Sequence, residues 1–238
     1  MLRNEVVNEK FLNQIINGNS YELIKQLPDK SVDLIVTDPP YELANKTVSK
    51  GFFSTHLNNL YEDFANANVM GGLQSEMLDE FMRVMKKPNI YIWCNKKQIP
   101  EYLNYFVVDH KCSFEIMVWI KSNPMPLYGR NYLNDKEFCL YFRKGIPLTT
   151  TYDTGKTYWI TQTNKVDKQK YGHPTVKPEF IIDMLIKNSS KEGDVILDCF
   201  LGSGTTAACA KKLKRTYIGF ELNQEFTQRA IERINLIN

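Results

Sequence analysis

The stretch DVILDCFLGSGTTAACAKKLK, residues 194–214, decides how this chain folds. An apolar, β-branched run ends on an acid, Asp198. Glycines follow at 202 and 204, and a run of small and basic residues with helical character begins behind them. Strand, tight turn and helix in that order form the unit from which parallel sheets are built. The glycines allow close approach of the backbone to a ligand, and the helix start favours negative charge. The next segment, TYIGFELNQEFTQRAIERI, again reads as strand, acid (Glu221) and helix. Gly202, Gly204 and Ala207 satisfy the spacing G-x-G-x-x-G/A, with Glu221 closing the following strand. Alone, that spacing fits a nicotinamide or flavin enzyme as well as any other nucleotide binder.

Working outward, FLNQIING, VDLIVTD, NIYIWC, FEIMVWI and EFCLYF read as further strands. SYELIKQLP, SEMLDEFMRVMKK and HPTVKPEFIIDMLIKN read as helices between them, with Pro178 suited to a first turn. Met77, Leu78, Phe81, Met82 and Met85 fall on one helical face, a surface for the core. The expectation is an α/β chain with a doubly wound sheet of about seven strands. All but the last two or three are parallel, and helices cover both faces of a single domain over 1–238. Hydrophobic residues make up 43% of the 238, ample for one core. No stretch is long enough for a membrane span, and MLRNEVVNEK lacks the apolar core of a signal peptide, so a cytoplasmic location is expected. Five cysteines without CxxC spacing read as buried reduced thiols, and three scattered histidines give no metal site. Between Lys121 and Pro178 there are ten Lys or Arg against four Asp or Glu, on a chain whose net charge is only +3. A locally basic segment of this kind suits either a nucleic-acid contact or a solvated face.

A second unusual stretch, TDPPY at 37–41, closes the apolar run VDLIV. Prolines cannot continue a ladder, so the strand stops just past Asp38 in a rigid frame. In a doubly wound sheet its carboxyl end faces the same crevice as the glycine turn. Acid, glycine turn and acid together suit a nucleoside with an amino-acid tail. Glu221 can accept from ribose hydroxyls, the turn amides can meet a carboxylate, and Asp198 can meet an ammonium. That ligand is S-adenosylmethionine.

On these stretches the chain resembles the amino-group DNA methyltransferases in their β-class arrangement. INGNSYELIKQLPDKSVDLIVTDPPY, WIKSNPMP, EFCLYFRKG, HPTVKP, LDCFLGSGTT and GFEL follow the family's order over nearly the whole chain. The resemblance implies a circularly permuted Rossmann-like methyltransferase sheet whose N-terminal QIINGN strand lies beside the Glu221 strand, bringing the termini close. It implies S-adenosylmethionine as cofactor, held by Asn19, Asp38, His173, Thr175, Asp198, Phe200, Gly202, Ser203, Gly204, Thr205, Thr206, Glu221 and Leu222. Asn19 stands where the family usually has an acid; its carbonyl is a weaker acceptor for an adenine amine. Cys199 and Phe226 replace the family's usual Pro and Tyr as packing changes. His173 either caps a helix or lies beside the cofactor's methionine end, while Lys177 reads as capping and solvating the start of that helix.

The catalytic set implied is Asp38, Pro39, Pro40 and Tyr41. An exocyclic amine is a poor nucleophile because its lone pair is delocalised into the ring. Asp38 and the Pro39 carbonyl, accepting its two protons, favour a pyramidal nitrogen. The base must be flipped from the duplex, and Tyr41 is its stacking partner. Segment 42–72, with Lys46 and Lys50, reads as a DNA-facing loop. Segment 144–172 reads as a target-recognition insertion, with Lys156, Tyr158, Trp159, Lys165 and Lys168 toward DNA. Trp119 and Lys121 either line the base pocket or belong to strand packing and a solvated surface. An Asp at the head of the motif points to adenine N6, with cytosine N4 as the nearest alternative. A protein-glutamine methyltransferase and a catalytically idle DNA-binding module stand further off. Double-stranded DNA is the expected partner, with any restriction endonuclease a separate protein and the enzyme a monomer or homodimer.

Overall fold

The structure, a computed structural model, describes residues 10–40, 73–124, 132–171 and 176–237, with side chains throughout except at 168 and 170. Eight strands form one sheet: β1 (Gln14–Asn17), β2 (Leu34–Thr37), β3 (Asn89–Cys94), β4 (Ser113–Lys121), β5 (Lys136–Arg143), β6 (Tyr158–Thr161), β7 (Val195–Asp198) and β8 (Thr216–Glu221). Their order across the sheet is β1-β8-β7-β2-β3-β5-β4-β6. β2, β3 and β7 are buried along their full length, which is why they read as continuous apolar runs.

The eight described strands are in keeping with the expected number. One expectation needs correction: among the described strands only β5 runs antiparallel to its neighbours. A helical crossover carries the chain from β3 to β4. β5 then returns between them, and an antiparallel return needs no crossover. The additional strand, β6, pairs in parallel with β4 inside the polar 144–172 segment. Its apolar run, Tyr158 to Ile160, is only three residues long and sits among polar neighbours, and within β6 only Trp159 is buried.

The helices are α1 (Ser20–Leu23), α2 (Ser75–Val84), α3 (Ile99–Leu103), α4 (Lys165–Tyr171), α5 (Glu179–Ser189), α6 (Thr205–Lys212) and α7 (Gln224–Asn235). They divide between the two faces. Ile35, Ile90 and Ile92 meet Ile24, Met77, Leu78, Phe81 and Phe106 on one side. Leu34, Val36, Tyr91 and Trp93 meet Ile181, Leu185, Ala207 and Ile234 on the other. The alternation along β2 and β3 follows from the two-residue period of a strand, so each strand feeds both cores. The apolar stripe of α2 is buried as expected, with Met82 only partly so. Asn89 ties the layers: its Nδ2 donates to Asp33 O and Ser189 O, and its Oδ1 accepts from Tyr141 Oη. All five cysteines are free and buried. Among the described residues no helix is long and apolar enough to cross a membrane.

β1 lies beside β8 with Gln14 opposite Ile218 and Asn17 opposite Glu221, the pairing a circular permutation requires. The order runs β7 to β8 to β1 in one direction and β2 to β3 in the other. The reversal falls between β7 and β2, and a crevice opens beyond their carboxyl ends.

Candidate active site

At that crevice the strand ends present carboxylates. Asp198 closes β7, and its Oδ1 accepts from Thr37 Oγ1 at 2.9 Å and from the Phe200 amide at 3.0 Å. The first bond joins the end of β2 to the end of β7. Burial pushes the Asp198 carboxyl up to about 6, against hydrogen bonds from Thr206, Phe200 and Thr37 that favour its charged form. Glu221 closes β8. Its Oε2 accepts from the Gly202 amide and its Oε1 from the Asn223 amide, both at 2.8 Å. The acid of one strand thus holds the turn that follows the other.

Glycine is needed at 204 for two reasons. Its φ is +80°, and a Cβ there would lie 2.9 Å from Ala230 Cβ. The close approach seats the start of α6 against α7. On the far side, Asn19 caps α1, its Oδ1 accepting from the Tyr21 amide at 3.0 Å. Asn17 Nδ2 donates to Leu222 O at 2.9 Å and so fixes the chain beyond Glu221. Phe200 is half-buried, while Ser203, Thr205 and Thr206 are buried.

Arg233 is a site-building residue missed in the sequence. Its side chain is 4% exposed, and one guanidinium nitrogen donates to Ser203 O and Thr205 Oγ1, each at 3.0 Å. The other meets Glu179, and the group stacks 3.8 Å from the centre of the Tyr171 ring. It clamps the glycine turn against α5 and α4. A signal was available: Phe226, Ala230, Arg233 and Ile234 share the buried stripe of α7, and an arginine on such a stripe needs a partner.

Asp38 has a second set of neighbours. Lys177 is buried, against the reading of a solvated helix start, and its Nζ donates to Asp38 Oδ2. The same Nζ lies 3.1 Å from Glu137 Oε2 and 5.0 Å from the centre of the Trp93 ring. Lys121 Nζ pairs with Glu137 Oε1. Burial opposes the charge on Glu137, but Lys177 and Lys121 outweigh it and hold that carboxyl down at about 2. Burial likewise disfavours the Lys177 ammonium, and Asp38 and Glu137 more than offset this, raising its pKa above the usual lysine range. Lys121 therefore belongs to this ionic row.

Trp159, expected to face DNA, is turned inward. Trp159 is 7% exposed and stands opposite Trp119, which is also buried, because β6 turns that side to the second core. Trp119 Nε1 donates to Thr161 Oγ1 at 2.7 Å, consistent with strand packing. Tyr158, Lys156 and Lys165 are exposed, with Lys156 paired to Asp153 at 2.8 Å. Tyr41, Lys46, Lys50, His173 and Thr175, and the side chain of Lys168, lie outside the described residues.

Sheet order, single reversed strand and acids flanking a glycine turn at the switch point define a Rossmann-like methyltransferase. A profile described as DNA methylase, for the N6/N4 enzymes, matches residues 32–232, and the chain belongs to that family. It is 30% identical to the Type II methyltransferase M2.LlaDCHI of Lactococcus lactis subsp. cremoris, over 93% of this chain and 88% of that one. To M2.DpnII of Streptococcus pneumoniae it is 29% identical, over 94% and 90%. Among solved structures, the M1.HpyAVI–SAM complex superposes with a TM-score of 0.65 at 25% identity, covering 92% of this chain and 98% of that one. The cytosine-N4-specific PvuII DNA methyltransferase shares the fold, with a TM-score of 0.67 at 16% identity over 94% and 88%.

The clamp carries a prediction. Arg233→Met should unlatch the glycine turn and leave Glu179 with one cation fewer, costing about 3 kcal/mol and lowering Tm by roughly 6–12 °C. Calorimetric unfolding of the two proteins checks this; equal midpoints would show that the clamp contributes nothing.

Proposed function

We propose that this protein transfers the methyl group of S-adenosylmethionine to the N6 amine of an adenine flipped out of double-stranded DNA. The observation that carries the reading is Asp38, set immediately beyond β2 and tied through Thr37 to Asp198 of the adjoining strand end. The cradle suits the cofactor. Two buried acids flank a turn with positive-φ glycines, giving acceptors for hydroxyls and an ammonium beside backbone donors for a carboxylate. Asp198 would hold the ammonium and Glu221 the ribose, with the turn 202–206 against the carboxylate tail. When bound, S-adenosylmethionine supplies an activated methyl group.

The protein's own part is to prepare the amine. Asp38 and the Pro39 carbonyl accept its two N–H groups, so its lone pair is drawn out of conjugation and aimed. Pro39 and Pro40 keep those acceptors from relaxing, and preorganised acceptors need no rearrangement as charge develops. Tyr41 is assigned the stacking role for the extruded base, with Lys156, Tyr158 and Lys165 on the DNA side. The relatives named as Type II methyltransferases support methyl transfer; a defined DNA sequence as target and a separate endonuclease as counterpart belong to the same proposal. Because a cytosine-N4 enzyme shares this fold, the fold does not separate the two amines; Asp38 at the head of the motif favours adenine.

Incubation with labelled S-adenosylmethionine and mixed genomic DNA, followed by nucleoside mass spectrometry, should yield N6-methyladenine; N4-methylcytosine would transfer the same chemistry to the other base. Asp38→Ala should abolish transfer with cofactor affinity nearly intact, whereas Glu221→Ala should weaken that affinity first. Turnover close to normal in the Asp38 variant would remove it from the reaction.

Cofactor binding should also depend on pH. An Asp198 carboxyl held at about 6 must lose its proton to meet an ammonium, so binding at lower pH releases a proton. Affinity measured by calorimetry should fall as pH drops from 7 to 5, approaching tenfold per unit below 6. Asp198→Asn should bind more weakly and with a flat profile. A flat profile in the unaltered protein would place the ammonium elsewhere.

A further inference from the structure

We infer that Lys177 is a positioning residue that holds Asp38 before the target base arrives and passes to Glu137 when the target amine takes its place. The inference rests on the reading of Asp38 as acceptor for that amine. Lys177 Nζ already donates to Asp38 Oδ2, one of the two oxygens an incoming N–H could use. It is also a cation, and the amine nitrogen gains positive charge as it takes a methyl group. A lysine left in that position would both occupy the acceptor and repel the developing charge.

Glu137 is built to receive it. Its Oε1 is held by Lys121, which fixes the carboxylate on β5 from the other side. Its Oε2 is buried and already lies 3.1 Å from Lys177 Nζ, a longer contact than the one Lys177 makes with Asp38. A buried acceptor in that state gains a shorter, better aligned charge-assisted bond if the ammonium rotates toward it. The Trp93 ring, 5.0 Å from Nζ, covers the cation on its apolar side. The movement is that of one ammonium between two carboxylates already around it. Lysine suits it: a point charge on a flexible stem can leave one acceptor for the other, whereas a planar guanidinium would bridge both.

The test compares turnover on genomic DNA at saturating cofactor in four variants, with cofactor affinity and Tm measured alongside. Glu137→Gln removes the receiving charge but keeps the shape, so Lys177 stays on Asp38. The rate constant should fall roughly 10- to 100-fold, as when a charge-assisted hydrogen bond is broken without replacement, with cofactor affinity within about twofold. Adding Lys177→Met to Glu137→Gln removes the blocking cation and should restore most of that loss. Lys177→Arg, which keeps the charge, should turn over more slowly than Lys177→Met. Undiminished turnover in Glu137→Gln, or a double variant no faster than it, overturns the handover.

A second readout uses the unaltered protein and does not depend on any variant folding. With ¹⁵N-lysine labelling and S-adenosylhomocysteine in place of the methyl donor, the Lys177 ammonium resonance should shift when a duplex carrying the mapped target is added. No shift overturns the proposal. Failure of the underlying reading looks different: there Asp38→Ala itself would remain active.

Discussion

Carboxylates set at the buried ends of strands disfavour a fold unless each receives donors, and the crevice edge of this sheet is organised around that demand. Asp198 is met by Thr37 and the Phe200 amide, Glu221 by the Gly202 and Asn223 amides, and Glu137 by two lysines. The donors come from neighbouring strands and turns, so satisfying the acids also fixes the strand ends relative to one another. The Thr37–Asp198 bond joins the end of β2 to that of β7, and the Gly202–Glu221 bond ties the turn after β7 to the end of β8. A site for a polar cofactor follows, since the groups that neutralise the acids also line the crevice.

The parts of this arrangement legible in the sequence are those whose cause is local. A glycine turn between a strand and a helix, or two prolines after an acid, has its conformation written into adjacent residues. The two halves of the site, around 38 and around 202, were readable for that reason, as was the pairing of the N-terminal strand with the Glu221 strand. The parts that were not legible depend on distant partners. Lys177 stands before a helix and looks like a surface residue, because the two carboxylates that bury it are 40 and 139 positions away. Arg233 shows only as a charge on an apolar stripe; its partners at 179, 203 and 205 lie on other elements.

Trp159 departs from its expected place for the opposite reason. Its surroundings are polar and basic, which suggested an exposed surface, yet a short strand needs only one large residue turned inward to anchor it. Tyr158 and Ile160 on either side are exposed, so β6 shows the alternation of an edge strand with one face against the core. The insertion is therefore partly an extension of the sheet. Its outward groups hang from a strand whose register is set by pairing with β4.

The pairing of β1 with β8 has a consequence for how the molecule comes into being. Asn17 and Glu221 are 204 positions apart, and their segments meet in one ladder. On a ribosome, β1 emerges about 200 residues ahead of β8 and waits for its neighbour until β8 has been made. Contacts of such long separation slow folding and leave an open strand edge meanwhile. The carboxylate that holds the glycine turn sits at the end of β8, so this side of the cradle takes shape only once β8 has been made and has paired.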